Sequence, residues 1–114
     1  MRVLVCGSRH FNDYEKLNET LAQCPITTNI EGEARGADRL AGVYGERHGI
    51  PVCKFPADWN KHGRAAGPIR NKQMLVEGKP EFVIAFRGSN SRGTQNMIDQ
   101  ATKAGIPVRI IDIG

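Results

Sequence analysis

Short apolar runs alternate along this chain with longer segments of helical periodicity. Five runs rich in β-branched residues predict strands over 2–6, 27–30, 52–55, 81–86 and 108–113. Between them, apolar residues recur at helical spacing, which predicts helices from Asn12 or Asp13 to Cys24 and over 37–49, 65–76 and 94–103. The alternation predicts an α/β fold: a single three-layer domain, residues 1–114, with a mainly parallel five-stranded sheet.

Composition limits the class of protein. A length of 114 residues suits one domain, and 39% hydrophobic with 25% charged residues is normal for a globular chain. The apolar runs are too short to span a membrane, and no secretion signal opens the sequence. Cys6, Cys24 and Cys53 form no C-x-x-C pair, which is typical of a reduced protein. We therefore expect a cytoplasmic protein without membrane contact.

The charge pattern favours an anionic partner. The formal charge is +4, and arginines make up most of the 16 Lys and Arg residues. This excess suits an anionic small molecule and weakly favours nucleic acid. His10, His48 and His62 show no metal-ligand spacing, so we expect no metal site. No Gly-x-Ser-x-Gly elbow is present, so a Ser-His-Asp hydrolase is not supported.

Glycines and polar residues collect directly after the first four predicted strands. These segments are Gly7-Ser8-Arg9 and the loops 31–38, 56–60 and 87–94. Because the carboxyl ends of parallel strands meet at one edge of a sheet, we expect all four segments to line one crevice.

The fourth segment is the clearest candidate for phosphate binding. Gly88 and Gly93 allow a tight turn, and Ser89, Ser91 and Thr94 place hydroxyls at the start of a helix. The segment matches neither the Walker A loop nor the G-x-G-x-x-G fingerprint. A turn built from small residues without any ligand is the alternative.

The second segment contains a candidate phosphate clamp. Gly32 and Gly36 flank Arg35, whose guanidinium suits a phosphate. Asp38 either accepts a hydrogen bond from a ribose hydroxyl or caps the following helix, and the capping role is slightly favoured.

A lid over the ligand is predicted from the third segment and the helix behind it. Asp58 and Trp59, together with Arg70 and Asn71, suit stacking on a base and contact with its edge. The preceding Gly67-Pro68 predicts a close approach by another backbone. Ordinary packing is the alternative role for Trp59.

Five ordered motifs resemble the YspA-related branch of the SLOG superfamily. They are Gly7-Ser-Arg-His-Phe-Asn-Asp13, Glu31-Gly-Glu-Ala-Arg-Gly-Ala-Asp38, Pro56-Ala-Asp-Trp59, Ala66-Gly-Pro-Ile-Arg-Asn71 with Met74, and Gly93-Thr-Gln-Asn-Met97. The resemblance implies a Rossmann-like domain from a bacterium or a phage, in the latter case acting in the bacterial host cytoplasm. It also implies kinship with the lonely-guy phosphoribohydrolases, which release a base from a nucleoside monophosphate, and with DprA, which binds single-stranded DNA.

Two departures from the lonely-guy pattern bear on catalysis. The fourth segment lacks the glutamate of the lonely-guy Pro-Gly-Gly-x-Gly-Thr-x-x-Glu motif, and Glu33 stands where relatives usually have glycine. Catalytic residues are therefore unassigned, with Glu33 and Asp58 as candidates.

The main functional hypothesis is binding of a nucleotide-derived small molecule, such as an ADP-ribose or NAD relative, without a required cofactor. A hydrolase acting on such a ligand and a DprA-like single-stranded DNA binder are the alternatives, and a homodimer or higher homo-oligomer is a further expectation. The predicted ligand-binding residues are Gly7, Ser8, Arg9, Gly32, Arg35, Gly36, Asp38, Asp58, Trp59, Arg70, Asn71, Gly88, Ser89, Gly93, Thr94 and Asn96.

Overall fold

Five strands form one sheet in the computed structural model, which describes residues 1–113. They are β1 (Arg2–Gly7), β2 (Thr28–Glu31), β3 (Val52–Lys54), β4 (Phe82–Arg87) and β5 (Val108–Asp112). The order across the sheet is β3-β2-β1-β4-β5, and every neighbouring pair is parallel. The predicted α/β fold is confirmed, and the sheet is wholly parallel. The chain reverses direction across the sheet between β1 and β4, which is where such folds bind ligands.

Helices connect the strands. They are α1 (Tyr14–Leu21), α2 (Ala37–Arg47), α3 (Trp59–His62), α4 (Ala66–Gly78) and α5 (Arg92–Lys103), with a 3₁₀ turn at Gly63–Ala65. The short α3 replaces the loop expected after β3. It forms because the Asp58 carboxylate accepts a hydrogen bond from the Lys61 amide at 3.1 Å and caps the helix. Within residues 1–113, no helix combines the length and apolarity needed to cross a membrane.

The sheet is covered on both faces, as the continuous apolar runs of its central strands predict. One core cluster joins Val3 and Val5 to Leu17 and Leu21 of α1 and to Tyr44 of α2. The other cluster lies on the opposite face of the sheet, where the intervening strand residues Leu4 and Val83 pack against α4 and α5. The helices contribute the buried side chains Met74, Met97 and Ile98. The three-layer, Rossmann-like architecture is thereby confirmed, and its layers leave the carboxyl edge of the sheet open.

Candidate ligand-binding crevice

A crevice of about 1170 Å³ opens at the carboxyl edge of the sheet. Residues from β1, from the loops after β1, β2 and β4, and from the α3–α4 region line it. Two carboxylates, Glu33 and Asp38, face a larger set of guanidinium groups in this lining, which are those of Arg9, Arg35, Arg39, Arg64, Arg70 and Arg92. The crevice is therefore strongly cationic, which favours an anionic ligand.

Most of the predicted ligand-binding residues lie together in this lining. They are Gly7, Ser8, Arg9, Arg35, Asp38, Trp59, Arg70, Asn71, Gly88, Ser89, Gly93, Thr94 and Asn96. Gly32, Gly36 and Asp58 are not part of the lining that the described residues form. Sequence reasoning missed Arg39, Arg64 and His10, and it did not single out Arg92. The abundance of arginine was the available signal for the three guanidinium groups.

Backbone hydrogen bonds hold the loop after β1 against β4 and α2. The Ser8 amide donates to the Phe86 carbonyl at 2.9 Å, and the Ser8 carbonyl accepts from the amides of Phe11 and Ala37 at 3.2 and 3.3 Å. A Cβ at Gly7 would lie 2.6 Å from the Phe86 carbonyl oxygen and 2.7 Å from the Ala37 Cβ. Glycine is therefore required where β1, β4 and α2 meet, at the base of the crevice.

The loop after β4 leaves amides available for an anion. Ser91 makes no side-chain cap to α5, because its hydroxyl accepts instead from the Gly88 amide at 2.9 Å. The first intrahelical bond runs from the Gln95 amide to the Ser91 carbonyl. The amides of Gly93 and Thr94, inside the first turn, therefore have no intrahelical acceptor. Both residues line the crevice, so this helix start has the geometry that suits an anion, and phosphate binding here stays a prediction.

Asp38 does not cap α2, so the favoured expectation for this residue is wrong. The N-cap position of α2 is Gly36, which makes no side-chain cap bond. The Asp38 Oδ2 atom instead accepts from the amides of Gly32 and Ala34 in the preceding loop, at 3.1 and 3.3 Å. Burial raises the Asp38 pKa to about 6, although the Arg70 charge and these two amide bonds lower it.

Arg70 links the loops after β2 and β3 by donating hydrogen bonds to a carbonyl of each. Its Nη1 atom donates to the Gly32 carbonyl at 2.5 Å and to the Phe55 carbonyl at 3.4 Å, while Nε donates to the Asn71 Oδ1 atom at 3.1 Å. A Cβ at Gly32 would collide with this guanidinium. Gly32 thus contributes by making room for Arg70, which carries positive charge beside Asp38.

Asparagine side chains clamp α4 to α5 at the crevice wall. The Asn71 Nδ2 atom donates to the Gly93 carbonyl and to the Asn96 Oδ1 atom, both at 3.1 Å. Gln100 donates from Nε2 to the same Asn96 oxygen at 2.7 Å. These bonds hold the start of α5, and with it the uncapped amides, against α4.

Replacing Asn71 with alanine is expected to lower the free energy of unfolding by about 1–3 kcal/mol. The substitution removes both hydrogen bonds that the buried Asn71 amide donates to α5, and the Gly93 carbonyl loses its side-chain donor while Asn96 keeps the one from Gln100. Urea denaturation measures the change. The matched control, Asn60→Ala at an exposed position of α3, is expected to change stability by no more than about 0.5 kcal/mol. Equal effects of the two substitutions would contradict the clamp.

Trp59 stands at the rim of the crevice. Its side chain is 57% exposed, and its Cη2 atom lies 3.4 Å from the position of a Cβ on Gly67. The close approach expected at Gly67-Pro68 is therefore made by this ring and not by a backbone. An exposed indole beside a cationic crevice offers a surface on which a base can stack. It is also the only tryptophan of the chain, so its fluorescence reports on this rim alone.

A second buried carboxylate lies behind the crevice. Glu31, at the end of β2, is 1% exposed, and its Oε1 atom accepts from the Glu33 amide at 2.5 Å. Burial and the nearby Asp38 charge raise the Glu31 pKa to about 7. Glu33 itself adopts a left-handed backbone with φ of 58°. No group of three or more His, Cys, Asp or Glu side chains within residues 1–113 is placed to hold a metal ion.

Known proteins resemble this chain in sequence and in fold. The sequence profile of the YspA, cpYpsA-related SLOG family (YAcAr) matches residues 1–62. The gene 61 protein of Mycobacterium phage D29 is 36% identical over 117 residues, covering 94% of this chain and 93% of the phage protein. The structure of DNA processing protein A (DprA) from Streptococcus pneumoniae superposes with a TM-score of 0.77 at 18% identity. That match covers 99% of this chain and 50% of DprA, and it shows a shared fold.

Proposed function

This chain belongs to the YspA, cpYpsA-related SLOG family, and we propose that it binds a phosphorylated, nucleotide-derived small molecule in its crevice. The observation that carries this proposal is the cationic lining, in which guanidinium groups outnumber carboxylates at the carboxyl edge of a parallel sheet. Such a lining attracts phosphate groups and repels cations.

The size of the crevice supports a ligand larger than one mononucleotide. Its volume of about 1170 Å³ lies slightly above the range of roughly 300–1,000 Å³ that is usual for small-molecule pockets. A molecule with a base, a ribose and a diphosphate, such as ADP-ribose or an NAD relative, fits this volume. In this arrangement the phosphates lie against the amides of Gly93 and Thr94 and the Arg92 guanidinium, and the base stacks on Trp59.

Titration of the purified protein with ADP-ribose, NAD⁺ and ADP tests the proposal. Trp59 fluorescence reports occupancy, and the melting temperature should rise because a ligand at a hundred times its Kd stabilises the folded state by about 2.7 kcal/mol. Absence of both signals with all three compounds would contradict the proposal.

Arg92→Gln is expected to weaken the binding of ADP-ribose by about tenfold or more. The substitution removes a charge-assisted hydrogen bond to phosphate at the start of α5. Arg109→Gln on the exposed edge strand β5 is the matched control, because Arg109 bonds to Gln23 and lies outside the crevice lining. Calorimetric titration measures the affinity of both variants for ADP-ribose. Equal losses of affinity would show that only the overall charge of the protein is involved.

Hydrolysis of the ligand is a second candidate function, because Glu33 lines the crevice. Chromatography of ADP-ribose after incubation would detect cleavage products, and Glu33→Gln should then slow their release. Asp58, the other catalytic candidate, caps α3 outside the crevice lining, and Asp58→Asn should leave the rate unchanged. A third outcome, steeply salt-dependent binding of oligo(dT) with no response to the three nucleotides, would favour single-stranded DNA as the ligand.

A further inference from the structure

The crevice carries two kinds of loop on the two sides of β1. The loop after β4 ends at the uncapped start of α5, whose amides of Gly93 and Thr94 have no intrahelical acceptor. The loop after β2 and the start of α2, which follows it, supply the two crevice carboxylates, Glu33 and Asp38. Since β2 and β4 flank β1 in the sheet, a ligand that lies across β1 meets both loops.

In the loop after β2, the amides that could bind an anion already donate to protein acceptors. The amides of Gly32 and Ala34 both donate to the Asp38 Oδ2 atom, and the Ala37 amide donates to the Ser8 carbonyl. A phosphate placed here would find these donors occupied and a carboxylate in their midst. The group that suits this loop is a hydroxyl, because it can donate to a carboxylate.

Asp38 is built to accept such a donor. The residue is only 4% exposed, yet it contributes to the crevice lining. Both hydrogen bonds made by its carboxylate end on Oδ2, so within residues 1–113 the Oδ1 atom accepts none. Among the described residues, the buried side-chain atoms without a hydrogen-bond partner are Tyr14 Oη and Asn29 Oδ1. The Asp38 Oδ1 atom is not one of them, so it keeps some access to solvent and can accept from a ligand hydroxyl. Arg70 keeps positive charge close by and favours the ionised form, as its lowering effect on the Asp38 pKa shows.

Glu33 places the second carboxylate at the same loop. Its φ of 58° is a conformation that costs a non-glycine residue about 1–2 kcal/mol, and the bond from its amide to Glu31 holds it there. Residues held in such a conformation cluster at active sites and ligand-binding sites.

We infer that Asp38 and Glu33 recognise the 2′,3′-diol of a ribose, so that the ligand is a ribonucleotide derivative and not a deoxyribonucleotide. The inference rests on the proposed function. A carboxylate from the loop after β2 and one from the start of α2 match two adjacent hydroxyls, while the phosphates of the same molecule reach the start of α5 on the other side of β1.

Comparison of ADP with 2′-deoxyADP tests the inference on the unmodified protein. Loss of one hydrogen bond to a charged acceptor is expected to weaken binding by about tenfold to a hundredfold. Calorimetry gives both affinities, and Trp59 fluorescence confirms that each compound occupies the crevice. Equal or tighter binding of 2′-deoxyADP overturns the inference and leaves the proposed function standing. Failure of ADP, ADP-ribose and NAD⁺ to bind overturns both.

Two variants separate recognition from a structural role. Glu33→Gly should raise the melting temperature of the free protein, because glycine adopts this backbone without strain, while lowering the preference for ADP over 2′-deoxyADP. Asp38→Asn keeps an oxygen for the amides of Gly32 and Ala34 and should also lower that preference. Glu46→Gln, an exposed change on α2, is the control and should leave it unchanged. Full preference in both crevice variants would overturn the inference.

Discussion

Replacing Gly36 with alanine is expected to lower the free energy of unfolding by about 3 kcal/mol or more. Gly36 has a φ of 78° and a ψ of −128°, a backbone conformation almost confined to glycine, in which an L-residue loses about 1–3 kcal/mol. A Cβ there would also collide with the Ser8 carbonyl oxygen and lie 2.8 Å from the Arg9 Cα. These are backbone atoms of a loop held by the Ser8 bond to Phe86, so relief of the collision requires breaking part of the crevice.

Gly105→Ala is the matched control for this substitution. Gly105 also has a φ of 78°, but a Cβ there would meet nothing within 4 Å. Its replacement should therefore cost only the backbone strain, about 1 kcal/mol. Urea denaturation of both variants should show the larger loss for Gly36→Ala, because its ψ of −128° and the collision both add to the cost. Equal losses of stability would show that the loop after β1 yields to the added methyl group.

The architecture could be predicted from the sequence because its signals are local. Continuous apolar runs such as 2–6 and 81–86 identify strands buried on both faces, and the glycines after them mark the turns into helices. Parallel order then places four polar loops at one edge without further information. These two steps are enough to predict a crevice at this edge, and for this reason most of the predicted ligand-binding residues lie in its lining.

The roles of individual polar residues could not be predicted in the same way. Asp38, two positions after a glycine at a helix start, fits the general preference for acidic residues in a first turn. Its actual partners are the amides of Gly32 and Ala34, which depend on how the loop folds back. Arg70 was predicted to bind ligand, and its guanidinium also donates to the carbonyls of Gly32 and Phe55, which only the tertiary structure brings near.

The burial of Glu31 also could not be predicted from the sequence. A glutamate at the end of a strand is ordinarily solvated, and nothing local indicates that this one is buried. It fits because Gly42 on α2 leaves space: a Cβ there would lie 2.9 Å from the Glu31 Oε2 atom. Burial of this acid is a property of the packing between β2 and α2.

Replacing Glu31 with glutamine is expected to stabilise the protein at pH 8 by on the order of 2 kcal/mol, and by much less at pH 4.5. The Glu31 pKa is raised from 4.5 to about 7 and the Asp38 pKa from 3.8 to about 6 in the folded state. Folding therefore takes up protons between about pH 4 and pH 7, so the stability of the unmodified protein falls as the pH rises through this window.

Glutamine cannot ionise, yet its oxygen still accepts from the Glu33 amide, so it removes the penalty of a buried charge and retains the bond. Urea denaturation across this pH range should show a smaller loss of stability for Glu31→Gln than for the unmodified protein. Part of the slope remains because Asp38 still titrates. Glu46→Gln, exposed on α2, should keep the full slope. A Glu31→Gln gain that is the same at both ends of the range would mean that glutamine packs better than glutamate, and not that a buried charge opposes folding.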